Sequence, residues 1–217
     1  MRTLTFAVST LALSLFACAS SVTGTGDGTE RGAGTDDTPS SQSPGTATSP
    51  NDPAAPSVAR KRAFVTSTTF TGDLRADVGG ATGVDAADII CQTAADGVLL
   101  GGKWRAFVDD GTLRAHERIT DVGPWYDVRP EGETPAKLFN NRANLLSAPL
   151  SKLNRDERGK STYGSAWTGS GEGKSCGAWT STSTYGVVGR VGGEADWRAT
   201  SSSDYCSDRN HIYCFEQ

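Results

Sequence analysis

After its first eighteen residues the sequence has no long apolar run, and it contains only two histidines. A transmembrane helix needs about 20 consecutive apolar residues, so the later sequence predicts none. Catalysis by a serine or cysteine nucleophile needs a base, usually histidine. His116 lies in a charged stretch and His211 lies in or beside a predicted strand, which favours a protein that is not an enzyme.

The sequence also lacks the usual ligand sets for metals and cofactors. No cysteines form a C-x-x-C pair, and neither histidine has a partner at zinc-ligand spacing. The carboxylates Asp109-Asp110 and Glu194-Ala195-Asp196 could hold calcium, but carboxylates in turns are usually just solvated. The stretch 169–175 resembles a phosphate-binding loop, but Thr168 stands where that motif requires glycine. We therefore expect no metal and no cofactor.

The N-terminus has the pattern of a lipoprotein export signal. Arg2 is followed by an apolar run from Leu4 to Leu15, and Leu15-Phe16-Ala17-Cys18 matches a lipobox. The sequence predicts a signal peptide over residues 1–17 and a diacylglycerol on Cys18. The alternative is an ordinary cleaved secretory signal, with Cys18 as a spare thiol. With the lipid, the protein is anchored to the outer membrane or cell surface.

Residues 18–60 are rich in Ser, Thr, Gly, Pro and Asp and have almost no large apolar side chain. Such a segment cannot bury enough surface to offset its ordering entropy, which predicts a disordered linker. A flexible chain of about 40 residues has a root-mean-square reach of about 35 Å. Residues 61–217 are long enough for one domain with its own core.

The domain shows the patterns of a mixed α+β fold. Asp85 can cap a helix that ends near Gly97, with Ala87, Ile90, Cys91 and Ala94 on its buried face. β-branched and aromatic runs predict strands at 63–70, 104–108, 124–128 and 211–215. The last of these is apolar on both faces, which places it inside the sheet. Trp167, Trp179 and Trp197 indicate that the Gly- and Ser-rich stretch 161–205 packs on the core.

Four cysteines lie in this domain: Cys91, Cys176, Cys206 and Cys214. An even number in an exported chain predicts two disulfides. The sequence alone permits three connectivities. We favour the nested one, Cys91 with Cys214 and Cys176 with Cys206.

Several motifs resemble the endostatin domain of collagens and its bacterial lipoprotein relatives. They are Gly83-Val84-Asp85-Ala86-Ala87-Asp88-Ile89-Ile90-Cys91-Gln92, Gly101-Gly102-Lys103-Trp104-Arg105-Ala106-Phe107, Ser165-Ala166-Trp167-Thr168-Gly169-Ser170, Cys176-Gly177-Ala178-Trp179, Tyr205-Cys206 and Tyr213-Cys214-Phe215-Glu216. They occur in order across nearly the whole domain and include all four cysteines.

This resemblance implies a C-type-lectin-like fold, with a twisted, mainly antiparallel sheet, a disulfide-tied helix near its start and long loops. It also implies that the first cysteine pairs with the last and the second with the third. Bacterial relatives are surface proteins, some of which bind extracellular-matrix or complement-regulatory proteins. The family's N-terminal zinc histidines are missing, since no histidine precedes His116. The Glu-Pro-Asn or Gln-Pro-Asp triplet of calcium-dependent sugar-binding lectins is missing too.

A basic strip lies between residues 137 and 160. It consists of Lys137, Arg142, Lys152, Arg155, Arg158 and Lys160. Such a strip can attract a sulfated glycan or an acidic protein patch, although a solvated loop without a ligand is the plainer interpretation. The domain as a whole carries 18 Lys and Arg against 20 Asp and Glu, which argues against a nucleic-acid partner.

These features together predict a non-enzymatic, lipid-anchored lipoprotein of the cell envelope whose domain binds an extracellular protein or glycan. Two alternatives remain: a structural envelope protein that self-associates or binds the cell wall, and, less favoured, an exported hydrolase. The oligomeric state is not predicted.

Overall fold

The computed structural model describes residues 60–170 and 173–217. The predicted signal peptide, the predicted lipidation site Cys18 and nearly all of the predicted linker lie outside these residues. The strands are β1 (Lys61–Val65), β2 (Trp104–Ala106), β3 (Trp125–Asp127), β4 (Lys137–Phe139), β5 (Ser165–Trp167), β6 (Tyr185–Arg190), β7 (Ser203–Tyr205) and β8 (His211–Glu216). The helices are α1 (Leu74–Val78), α2 (Gly83–Asp96) and α3 (Ala115–Arg118), with a 3-10 helix at Arg142–Leu146.

The eight strands form one mixed, mostly antiparallel sheet, so the fold class is α+β. The strand order is β4-β3-β1-β8-β5-β6-β7, and β2 also pairs with β8. The β1/β3 and β5/β8 pairs are parallel, and the others are antiparallel. In the described part of the chain, no helix is long and apolar enough to cross a bilayer.

Strand β8 lies inside the sheet, as its two apolar faces predict. It pairs with β1, β2 and β5. Because side chains alternate along a strand, Ile212 and Cys214 pack into the core that contains α2. Tyr213 and Phe215 pack into a second core on the other face, around Trp125. Burial of both faces makes β8 the centre of the domain.

Helix α2 forms where the sequence predicts a helix, but its cap differs. The N-cap is Thr82, whose hydroxyl accepts a hydrogen bond from the Asp85 N–H at 3.1 Å. The Asp85 carboxylate in turn accepts from the Thr82 N–H at 2.9 Å. The prediction that Asp85 itself is the cap is therefore wrong by one turn, because it is the N3 residue of a capping box.

The predicted strand boundaries are also too generous. β1 ends at Val65 instead of continuing to Phe70. The Thr66 hydroxyl donates a hydrogen bond to the carbonyl of Thr68, two residues further along the chain. Phe70 makes only an isolated bridge with Asn210. A side chain that bonds its own backbone interrupts a ladder that β-propensity alone would extend.

Both disulfides of the nested pattern are present, Cys91–Cys214 and Cys176–Cys206. The first ties α2 to β8. The second holds a turn over Cys176–Trp179 in which all four residues have positive φ, between 50° and 64°. The Trp179 N–H donates to the Ser175 carbonyl at 2.7 Å and the Thr180 N–H to the Cys176 carbonyl at 3.1 Å. We call this segment the left-handed turn.

The three tryptophans of the Gly- and Ser-rich stretch are all buried. Trp167 and Trp179 pack near each other in the core that contains α2, with ring centroids 6.0 Å apart. Trp197 packs against Phe107 and Phe139 on the other face. The predicted packing of this stretch on the core is therefore confirmed.

Candidate functional site

A cleft of about 230 Å³ lies beside the turn that follows β2. The turn is built by two aspartates: Asp109 Oδ1 accepts from the Gly111 N–H at 2.6 Å, and Asp110 Oδ1 accepts from the Leu113 N–H at 2.5 Å. Residues from four parts of the chain line the cleft, namely Asp109, Arg114, His116, Leu146, Ser170, Gly173 and Arg198. We call it the arginine cleft.

The wall of the arginine cleft at Asp109 is fixed to the rest of the fold. The Asp109 N–H donates to the Thr168 carbonyl at 2.8 Å, next to β5. The indole N–H of Trp179 donates to the Asp109 carbonyl at 2.5 Å. The left-handed turn therefore positions one side of the cleft through the indole of its last residue.

Arg114 and Arg198 are the main cationic groups of the cleft. Arg114 precedes α3, and its backbone N–H donates a hydrogen bond to the Glu117 carboxylate at 2.9 Å. Arg198 follows Trp197 and is half-buried. Neither guanidinium makes an ion pair or a side-chain hydrogen bond with any residue that the structure describes. The cleft therefore brings together two guanidinium groups that no carboxylate of the described residues pairs with.

His116 and Asp109 are the titratable groups between these arginines. Burial lowers the pKa of His116; Glu117 opposes this effect, and the charges of Arg114 and Arg198 add to it. Burial raises the pKa of Asp109, although the Gly111 N–H acts against that rise. The cleft thus combines two guanidinium groups with an imidazole whose pKa is lowered and a carboxyl group whose pKa is raised.

This chemistry suits a ligand that carries an oxyanion. Guanidinium groups bind carboxylate, sulfate and phosphate with charge-assisted, often paired hydrogen bonds. Asp109 is a hydrogen-bond acceptor on the same wall, and Leu146 adds an apolar contact. Ser170 also lines the cleft, but within residues 60–170 and 173–217 no hydrogen bond joins its hydroxyl to His116. The cleft therefore combines anion-binding guanidinium groups with a hydrogen-bond acceptor and an apolar contact.

The structure distributes the predicted basic strip over several neighbourhoods. Lys137 lies on β4, with Nζ 5.9 Å from the centroid of the Tyr126 ring. Arg158 is paired with the buried carboxylate of Glu157, and the Arg155 side chain bonds the Gly159 carbonyl at 3.2 Å. Lys152 and Lys160 are exposed. Arg142 is close enough to the arginine cleft for its charge to lower the pKa of His116.

The remaining candidate site residues are held by local hydrogen bonds and ion pairs. His211 Nδ1 lies 2.6 Å from the Thr66 carbonyl, and Asp196 is paired with Arg190 at 2.7 Å. Among the described residues, no group of three or more metal-ligating side chains comes together. The left-handed turn follows Ser175, so in the part of the chain that the structure describes no right-handed helix begins directly after the phosphate-loop-like stretch.

The sequence gives little sign of Arg198 or of its closeness to Arg114. One lies between β6 and β7 and the other follows the turn after β2. No motif links them, and Arg114 stands out only as part of a charged stretch. No protein-family model matches this chain, and no curated protein matches it.

Proposed function

We propose that this chain is a lipid-anchored, non-enzymatic binding protein of the cell envelope, whose domain captures an extracellular protein or glycan through an acidic group. The observation that carries the proposal is the arginine cleft. Neither of its two guanidinium groups makes an ion pair or a side-chain hydrogen bond among the described residues, and both line one concave site in which Arg114 is exposed and Arg198 is half-buried. An arginine that is partly desolvated without a counterion is stabilised when an anion binds it.

The proposal includes a C-type-lectin-like, endostatin-like domain. The nested disulfides, the helix tied to the last long strand, and the mostly antiparallel sheet support that assignment. The export signal and lipobox support display outside the cytoplasm. Self-association, or binding to the cell wall, is the competing function, and cross-linking in intact cells separates it by the identity of the captured molecule.

The cleft is tested by binding of a sulfated heparin oligosaccharide and of a polyglutamate peptide, each measured by calorimetry. Arg198→Ala and Arg114→Ala should each weaken binding of at least one probe about tenfold, which is about 1.4 kcal/mol, because each removes a charge-assisted contact. Arg75→Ala is the matched control, since Arg75 is an exposed arginine on α1. Failure of both probes to bind, or an equal loss in the control, would contradict the proposal.

A further inference from the structure

A second cationic surface lies at the end of the sheet where the preceding chain enters the domain. The strand register brings residues of five neighbouring strands side by side here. Lys137 of β4 is opposite Tyr126 of β3, and Tyr126 is opposite Arg62 of β1. Trp104 of β2 is opposite Glu216 of β8. We call this surface the tether end, and its exposed or half-buried cations are Arg60, Lys61, Arg62, Lys103, Arg105 and Lys137.

Most of these cations contact neutral groups. The Arg60 guanidinium and the Lys137 ammonium lie 5.4 Å and 5.9 Å from the centroid of the Tyr126 ring. An Arg105 N–H donates to the Arg118 carbonyl at 2.8 Å. Lys61 Nζ donates to the main-chain oxygen of Gln217 at 2.5 Å and also lies 4.0 Å from the Glu216 carboxylate. Carbonyl oxygens and rings orient a cation without cancelling its charge.

The carboxylates at this end do not balance the cations. Glu216 is buried and pairs with Arg62 at 2.8 Å, and Asp88 pairs with Arg118 at 2.9 Å. With Asp96 and Asp121, four carboxylates border the tether end, against seven cations when Arg118 is included. The rest of residues 60–217 carries twelve Lys and Arg and sixteen Asp and Glu. The domain is therefore positive at the tether end and negative elsewhere.

A concave site opens within the same surface. It has a volume of about 410 Å³. Its lining includes two of the cations and several neutral hydrogen-bonding groups: Lys103, Arg105, Gln92, Thr120 and Gln217. Asp88 also borders it, but its carboxylate is engaged by Arg118 and by the Ala106 N–H. An ammonium and a guanidinium beside hydroxyl and amide groups form a set that suits a phosphate.

We propose that the tether end docks on the phosphate headgroups of an anionic membrane surface. β1 starts at this end of the domain. In a chain anchored through Cys18, the tether end is therefore the part of the domain separated from the lipid by the fewest residues. A single lipid attachment is reinforced by a neighbouring polybasic surface, which attracts anionic headgroups within a Debye length. The anchor belongs to the proposed function, but the charge of the surface does not depend on it.

The test uses the chain from residue 18 onward with Cys18→Ser, so that no lipid contributes to binding. We expect it to sediment with vesicles of phosphatidylcholine and phosphatidylglycerol, not with phosphatidylcholine alone, and to dissociate at about 0.5 M salt. Reversing three exposed cations of the surface, in the triple variant Arg60→Glu, Lys103→Glu and Lys137→Glu, should reduce vesicle binding at least about tenfold.

The matched control reverses three exposed cations elsewhere, Arg75→Glu, Lys152→Glu and Lys160→Glu, and has the same net charge. It should keep at least half of the binding, while both triple variants melt at the temperature of the parent. Equal loss in the control, or no binding to anionic vesicles by the parent, overturns the inference. So does competition by inorganic phosphate beyond that of sodium chloride at the same ionic strength, because it would assign the surface to a soluble phosphate. None of these results depends on the arginine cleft.

Discussion

Arg198 is held half-buried by the backbone around it. The Trp197 side chain before it is buried in the second core, and the Arg198 carbonyl accepts from the Thr168 hydroxyl at 2.7 Å. Its guanidinium is thereby held at the cleft without a counterion among the described residues. Partial burial makes an unpaired charge costly. Binding of an anion should therefore gain more free energy from this residue than from a fully solvated arginine.

His116 makes the pH dependence of anion binding testable. Burial places its pKa in the free protein below the ordinary value. A bound oxyanion favours the charged imidazole, so the pKa in the complex is higher than in the free protein. Affinity for the sulfated probe should therefore rise as the pH falls through the interval between the two values.

Calorimetry from about pH 8 to about pH 5 covers the ordinary range of histidine and measures this rise. His116→Ala should remove the part of the pH dependence that lies in this interval. An unchanged pH profile in the variant would show that His116 does not face the bound anion. The pH dependence of stability has the opposite sign to that of affinity. Because the unfolded chain binds the proton more tightly than the folded one, His116 lowers stability as the pH falls below its ordinary pKa.

Among the elements, the left-handed turn and α2 are packed backbone to backbone. A Cβ added at Gly83, the first residue of α2, would lie 2.0 Å from the Ala178 carbonyl oxygen and 2.6 Å from Trp179 Cβ. Glycine is required here by close approach, because no flexible side chain can move aside. The contact fixes the start of the helix against the turn that supports the arginine cleft.

Gly83→Ala should therefore reduce the free energy of unfolding by about 2–3 kcal/mol, the usual cost of forcing extra atoms into a packed site. Gly97→Ala is the control at the other end of α2, where the backbone is right-handed helical and the nearest atom to an added Cβ is 3.3 Å away. It should change stability by less than about 1 kcal/mol, toward stabilisation. Urea unfolding measures both, and equal losses would refute the close packing.

Sequence patterns predicted the elements whose residues are periodic and missed those that tertiary contacts define. The two apolar faces of 211–215 correctly placed β8 inside the sheet, and the buried face of α2 followed from its spacing. The left-handed turn was not predicted, because positive φ at Cys176, Ala178 and Trp179 contradicts local preference. The arginine cleft was missed because Arg114 and Arg198 meet only through the fold, whereas the basic strip was visible as local composition.

At the scale of the whole molecule, the two disulfides join different parts of the fold and close loops of different length. Cys91–Cys214 closes a separation of 123 residues and joins α2 to the central strand. Cys176–Cys206 closes a separation of 30 and holds the left-handed turn. In the chain-entropy model, they contribute about 5 and about 3.5 kcal/mol.

Replacing both cysteines of a pair by alanine should separate stability from binding. Cys91→Ala with Cys214→Ala should cost more stability, up to about 5 kcal/mol, and leave the affinity of the folded fraction for the sulfated probe unchanged. Cys176→Ala with Cys206→Ala should cost less and still weaken binding, because the turn that carries Trp179 against Asp109 is released. Chemical unfolding and calorimetry measure the two effects, and the reverse pattern would contradict the role of the turn.

The position of β8 has a consequence for biogenesis. All the other strands of the described residues precede it along the chain, yet it supplies inward-facing residues to both cores. A partly translated chain therefore lacks the element around which its two apolar layers close, and native packing must wait until translation has passed this strand. If the chain is exported, as proposed, this order of synthesis leaves the domain unfolded while a secretory translocon engages it.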